Sequence, residues 1–165
     1  MGNGQAAISD LDHIGIVVKD IQRSANFYSL ALGIGSFRIF ELQVTEEMLR
    51  GFPPGTVSPG KTKIGIAQKG SVIIELIEVV EGKSLFSDFL ESMGEGVHHL
   101  GCDVADLEKE VARLEGQGME TVLRGKTGEG GVVFLRGEGS GGVLVELLQS
   151  EKSLAERLES MQKRL

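Results

Sequence analysis

Residues 11–18 read LDHIGIVV, apolar positions broken by single polar or small ones, which predicts a β-strand over about 12–18. The period then changes. Ile21, Ala25, Tyr28 and Leu32 recur at near-helical spacing, so a helix is expected over 21–32, opened by Asp20 as N-cap and closed by Gly33. Strands are expected at 36–42, 62–67 and 72–79, and the Pro- and Gly-containing stretch TEEMLRGFPPGTVSPG at 45–60 bars a regular strand and predicts a long loop or lid. The same sequence of elements follows again: a strand at 98–104, a helix at 106–117, and strands near 120–124, 131–136 and 143–149. Leu154, Leu158, Met161 and Leu165 then fall on one face of a final amphipathic helix.

The recurrence is an internal repeat. Placing LDHIGIVVKDI above VHHLGCDVADL sets His13 on His99, Val18 on Val104 and Asp20 on Asp106, a constant offset of 86. Each copy ends in an apolar strand around one glutamate, SVIIELIEV with Glu75 and GVLVELLQ with Glu146. His13 precedes Glu75 by 62 positions and His99 precedes Glu146 by 47, and the difference of 15 is close to the length of the Pro/Gly loop. The chain therefore reads as two βαβββ modules, 10–95 with an insertion at about 43–61 and 96–150. A flexible leader at 1–9 and a C-terminal amphipathic helix at 151–165 complete one integrated domain.

Composition narrows the setting. At 165 residues, 41% hydrophobic and 25% charged, the chain can bury a core and fold as one ordinary globular domain. A formal net charge of −7 argues against nucleic acid or an anionic membrane as partner. A single cysteine, Cys102, precludes an intrachain disulfide and fits a reducing, cytoplasmic setting. The N-terminal MGNGQAAISD lacks the apolar run of a signal peptide. Glycine is abundant, and GKTGEGGVVFLRGEGSGG at 125–142 predicts tight turns and close backbone approach to a ligand, although it lacks the order of a phosphate loop.

Candidate chemistry lies on the repeated positions. Strand alternation puts His13 with Gly15 and Val17, Glu75 with Ile73 and Ile77, and Glu146 with Leu144 and Leu148, so each polar group faces the side that carries apolar neighbours. Singly, a strand histidine is most often a hydrogen-bonded or edge residue and a strand glutamate a solvated one. Four of them at equivalent places in two copies form an N2O2 donor set if the modules face one cavity, suited to Mn, Fe, Co, Ni or Zn with positions left open for catalysis. Of the HH pair, alternation admits only one side chain to that cavity. The repeat selects His99 and leaves His98 to the helix-packed side or the strand end. Cys102 reads as a small buried hydrophobe and Asp103 as either an outer partner of the site or a solvated residue.

The motifs LDHIGIVVKDI, GEGVHHLGCDVADLE and GGVLVELLQ resemble the vicinal oxygen chelate superfamily over roughly residues 10–150. That superfamily includes glyoxalase I, methylmalonyl-CoA epimerase, extradiol dioxygenases and antibiotic-resistance binding proteins. The resemblance implies an α+β fold in which two fused βαβββ modules form a curved, partly open mixed β-barrel with flanking helices. HH, KTGEGG and SGGVLVEL are most similar to methylmalonyl-CoA epimerases, and the resemblance makes His13, Glu75, His99 and Glu146 the ligands of one divalent metal. Glu75 stands where epimerases often carry glutamine, so the paired glutamates are more like glyoxalase I. By the same resemblance Glu146 is also a proton-transfer group, acting on a carbon next to a carbonyl whose enediolate the metal stabilises. Lys63 falls where the family has a second catalytic glutamate, with Glu41, Glu46 and Glu47 as substitutes. The implied partners are a small-molecule substrate, an acyl-CoA thioester or a glutathione adduct, and a second copy in a homodimer. The alternatives are a lactoylglutathione lyase and a non-catalytic binding protein of the same fold.

Overall fold

A computed structural model describes residues 8, 10–127 and 130–162, without the side chains of 127, 157, 158, 161 and 162. Eight strands and five helices follow in the order β1 (His13–Val17), α1 (Ile21–Leu32), β2 (Arg38–Val44), α2 (Glu46–Leu49), β3 (Gly60–Lys69), β4 (Val72–Glu81), α3 (Leu85–Met93), β5 (Gly96–Asp103), α4 (Leu107–Glu115), β6 (Glu120–Thr127), β7 (Gly130–Arg136), β8 (Leu144–Gln149) and α5 (Leu154–Gln162). The strands form one mixed sheet ordered β2-β3-β4-β1-β5-β8-β7-β6, which does not close because β2 and β6 stand at its two ends. β1 runs parallel to β4 and β5 parallel to β8, while β1 and β5 meet antiparallel. The α+β fold is thus two equivalent four-stranded halves joined along the β1–β5 seam.

Local chemistry repeats as well. The Asp20 side chain accepts the Arg23 N–H at 2.9 Å to open α1, and the Asp106 side chain accepts the Lys109 N–H at 3.1 Å to open α4. Gly33 closes α1 at φ 59°, the left-handed conformation that favours glycine. Helices α2 and α3 were not foreseen from periodicity. α2 is one turn inside the loop, while α3 carries an apolar stripe of Leu85, Phe86, Phe89, Leu90 and Met93 that the sequence reading passed over. A second local signal for α3 is its capping box, in which Ser84 and Ser87 satisfy each other's backbone N–H groups.

Alternation along the strands separates two faces. One packs under α1 through Ile16, Ile21, Ala25 and Leu76, and under α4 through Cys102, Val111, Leu114 and Leu147. Cys102 is buried there as a small apolar residue, and burial, with Asp12, Asp103 and Glu146 nearby, pushes its thiol above the ordinary range. The opposite face carries Phe40, Leu42 and Ile66 beneath Leu154 of α5, and Leu123, Val132, Phe134 and Leu148 beneath Phe52, Val57, Leu85 and Phe86. Of the amphipathic stripe expected at the C-terminus, Leu154 is buried, while the side chains of Leu158, Met161 and Leu165 lie outside the described residues. Of the expected leader 1–9 only Ile8 is described, packed against the α4 cluster. No helix among the described residues is long and apolar enough to cross a membrane.

The loop between β2 and β3 reaches the far end of the sheet. Lys126 N–H of β6 donates to Gly51 O at 3.0 Å, and the Phe52 ring lies where a side chain on Gly125 would stand. A connection from the first half therefore spans to the last strand of the second, across the face opposite α1 and α4.

Candidate metal centre

The seam brings two histidines into each other's half. In its antiparallel register His13 faces Gly101 and Gly15 faces His99. A Cβ on Gly101 would overlap the His13 imidazole, and a Cβ on Gly15 would overlap that of His99, so each ring lies flat on the glycine of the opposite strand. The parallel ladders then set Glu75 beside Gly15 and Glu146 beside Gly101. Each carboxylate is delivered next to the histidine of the other copy.

Four donor atoms converge. His13 Nε2 is 2.7 Å from Glu146 Oε2, 3.2 Å from His99 Nε2 and 3.7 Å from Glu75 Oε2, while His99 Nε2 is 3.3 Å from Glu75 Oε2 and 3.4 Å from Glu146 Oε2. Ligands bonded at about 2.1 Å to one cation stand about 3.0–3.4 Å apart in octahedral or tetrahedral arrangement; the distances of 3.2, 3.3 and 3.4 Å around His99 Nε2 match that spacing, while 2.7 Å between His13 and Glu146 is a hydrogen bond. His13, Glu75 and His99 offer donors that all lie within 4.8 Å of one another. Mixed imidazole and carboxylate donors suit the borderline divalent metals.

Burial supports the same conclusion. His13 and His99 are each 1% exposed, Glu75 5% and Glu146 8%. Two carboxylates placed in such an environment require compensating charge. Burial alone would lower the His13 pKa, but hydrogen bonds to Asp12 and Glu146 and the charges of Glu75 and Glu146 outweigh it and raise the pKa to about 10. The imidazolium compensates one of the two carboxylates; a divalent cation compensates both.

Each histidine is also held from behind. His13 Nδ1 lies 2.8 Å from Asp12 Oδ2, and His99 Nδ1 lies 3.0 Å from His98 Nδ1. His98 departs from simple alternation. The β1–β5 register shifts between Gly15 and Ile16, so that His98 and His99 together oppose Gly15, a bulge that leaves both side chains buried. His98 does pack against a helix, since Phe86 and Phe89 of α3 approach its ring at centroid distances of 4.9 and 5.2 Å. Burial first, and the neighbouring His99 second, depress its pKa to about 3 against an opposing pull from Glu75, so it stays neutral.

Lys63 does not join these residues. It shares the α1 face with Gly65, which packs near Ile21, and its ammonium donates to Glu78 Oε1 at 3.1 Å. The other Glu78 oxygen accepts the Ile21 N–H at 2.8 Å, so the pair ties β3 and β4 to the start of α1, across the sheet from the donor cluster. Glu41 is exposed and pairs with Lys61 at 2.8 Å, which holds its carboxyl below the ordinary value, and Glu46 and Glu47 are exposed on α2. Asp103 is exposed at the end of β5. Gly15, Gly101, Asp12 and the outer role of His98 escaped the sequence reading. The signal was available: DHIG at 12–15 and HHLG at 98–101 align at the same offset of 86.

Known proteins share this framework. Residues 12–135 match the family model described as Glyoxalase/Bleomycin resistance protein/Dioxygenase superfamily. The chain is 31% identical over 142 residues to the uncharacterized protein YqjC of Bacillus subtilis (strain 168), covering 84% of this chain and 91% of that protein. The crystal structure of methylmalonyl-CoA epimerase from Mycobacterium tuberculosis matches with a TM-score of 0.62 at 25% identity, covering 92% of this chain and 95% of that one. A Streptomyces coelicolor methylmalonyl-CoA epimerase variant in complex with 2-nitronate-propionyl-CoA matches with a TM-score of 0.60 at 26% identity, covering 88% and 99% of the two chains.

Proposed function

The chain belongs to the glyoxalase/bleomycin resistance protein/dioxygenase superfamily, and we propose that within it the protein is a divalent-metal-dependent isomerase that moves the proton α to the carbonyl of an acyl-CoA thioester, as methylmalonyl-CoA epimerases do. The observation that carries this reading is the convergence of His13, Glu75 and His99 on one buried point of the seam, with Glu146 2.7 Å from His13 Nε2. The epimerases among its structural relatives, one with a CoA nitronate bound, supply the substrate class.

In this reading the four residues hold the ion, which supplies Lewis-acid polarisation of a substrate carbonyl and so lowers the cost of losing the adjacent proton. Glu146 is the proton-transfer group, because a carboxylate buried beside an apolar wall of Leu144 and Leu148 is close to the chemistry and shielded from water. Glu75, its equivalent from the other half, is the candidate for the opposite face of a planar intermediate, a role Lys63 cannot fill from the α1 side of the sheet.

The test is exchange of the α-hydrogen of methylmalonyl-CoA with solvent deuterium, with Mn, Co, Ni or Zn supplied. Metal-dependent exchange is expected, and its loss in Glu146→Gln by roughly 10²–10⁴-fold identifies the base where Co(II) absorption shows that the variant still holds metal; absence of exchange with all four metals refutes the reading. The presence of Glu75 rather than glutamine favours a second reading, a lactoylglutathione lyase, which would instead turn over methylglyoxal with glutathione. The homodimer belongs to the proposal too, supported by Phe27 and Leu30 of α1 standing 62% and 88% exposed, and sedimentation of the purified protein measures it.

A further inference from the structure

Asp12 and His98 occupy the same place in the two halves, each immediately before a proposed ligand and 86 positions apart, yet one is an acid and the other an imidazole. We propose that His98 is a positioning residue of the metal centre: its Nδ1 accepts the Nδ1–H of His99 and thereby fixes the tautomer that presents an unprotonated His99 Nε2 to the site, as Asp12 does for His13. The inference rests on the metal reading above.

The geometry and the metal reading together select the proton placement. At 3.0 Å the two Nδ1 atoms share one hydrogen, since two would collide and none would leave lone pairs opposed. His99 Nε2 stands among His13 Nε2 and the oxygens of Glu75 and Glu146, and to bind a cation it must carry no proton. The shared hydrogen therefore belongs to His99 Nδ1, and His98 is the acceptor, with its own proton on Nε2. His98 is 2% exposed and enclosed by the rings of Phe86, Phe89 and Phe134 at 4.9, 5.2 and 5.9 Å, so its ring is held in this orientation by packing. The bulge that places two residues opposite Gly15 is what brings His98 to the same side as His99.

Charge explains why the two halves differ. Asp12, Glu75 and Glu146 already place three carboxylates at or directly behind the donors. Three already outnumber the charge of a divalent ion, and a fourth in place of His98 would add uncompensated charge among aromatic rings. A neutral imidazole provides the acceptor without the charge.

Two variants separate this role from packing. His98→Leu keeps bulk and removes the acceptor; His98→Asn keeps an acceptor, its Oδ1 standing where Nδ1 was. Co(II) titration followed by visible absorption should show binding weakened about 10–100-fold in His98→Leu and kept within about threefold of wild type in His98→Asn, the size of effect typical of outer-shell partners. Nitrogen-15 NMR of the metal-free wild-type protein should find His99 protonated on Nδ1, and His98→Leu should show both tautomers. Unchanged Co(II) affinity in His98→Leu, equal losses in both variants, or His99 protonated on Nε2 in the wild type would overturn the proposal. A wild-type protein that binds no Co(II) while His99 is protonated on Nδ1 would refute the metal reading instead, and with it the purpose assigned to His98.

Discussion

Glycine at 15 and 101 is the least conspicuous part of the donor cluster and the part with the least tolerance. Because the opposite imidazole occupies the space a Cβ would need, Gly15→Ala is expected to displace His99 and Gly101→Ala to displace His13. Overpacking of this kind costs about 1–3 kcal/mol of stability; isothermal titration with Co(II) should show a loss of affinity beyond what the thermal melts account for. Charge at the same residues gives a pH signature. The His13 pKa in the metal-free protein is raised from 6.5 to about 10, so its stabilising pairs with Asp12 and Glu146 are fully present below pH 6.5 and are lost as pH rises through 10. Metal binding must expel that proton. Affinity should therefore climb with pH, approaching tenfold per unit below pH 10, while metal-free stability falls over the same window; titrations and melts at pH 6.5, 8 and 9.5 measure both. Lys63→Ala should leave metal affinity unchanged and cost about 1 kcal/mol or less, since its partner is Glu78 on the α1 side. A loss of Co(II) binding in that variant would contradict the placement of Lys63.

At the level of elements, the repeat was legible because its markers are chemical: Asp20 and Asp106 cap equivalent helices, and His13 and His99 stand in equivalent strands. The α1 and α4 faces followed from periodicity for the same reason, an apolar stripe against an apolar sheet. What stayed hidden depends on register and on contacts distant in sequence. The bulge at His98 breaks the strict alternation by which side chains were assigned to faces, and nothing in GVHHLG marks where pairing slips. Lys63 aligned with a catalytic position only by counting through a loop of uncertain length, and the β3–β4 register places it opposite Glu78 instead. Helix α3 is short, and its signals, the Ser84–Ser87 cap and the stripe of Leu85, Phe86, Phe89, Leu90 and Met93, lie outside the repeat on which the modules were read, yet its Phe86 and Phe89 wall the centre.

For the whole molecule, the donors lie beneath cover. α5 sits over the first half through Leu154, and Phe52, Val57, Leu85 and Phe86 sit over the second, leaving each of the four donors at most 8% exposed. A substrate or chelator reaches them only when a cover moves. One cover is the loop at 45–59, held to β6 by the Lys126–Gly51 hydrogen bond and the Phe52 ring on Gly125, and to Lys83 by Ser58. Phe52→Ala should hasten stripping of bound Co(II) by a chelator several-fold at unchanged equilibrium affinity, followed by loss of the cobalt absorption. An unaltered rate would assign the gate to α5 or α3.

Each half contributes a histidine that lies over the other half's glycine, and a glutamate that stands nearer the other half's histidine than its own. A substitution at residue 15 is therefore felt by the ring at 99, and one at 101 by the ring at 13. The two halves are in this way one site and not two. However far the halves differ in loop length and helix packing, at the seam neither can be altered alone.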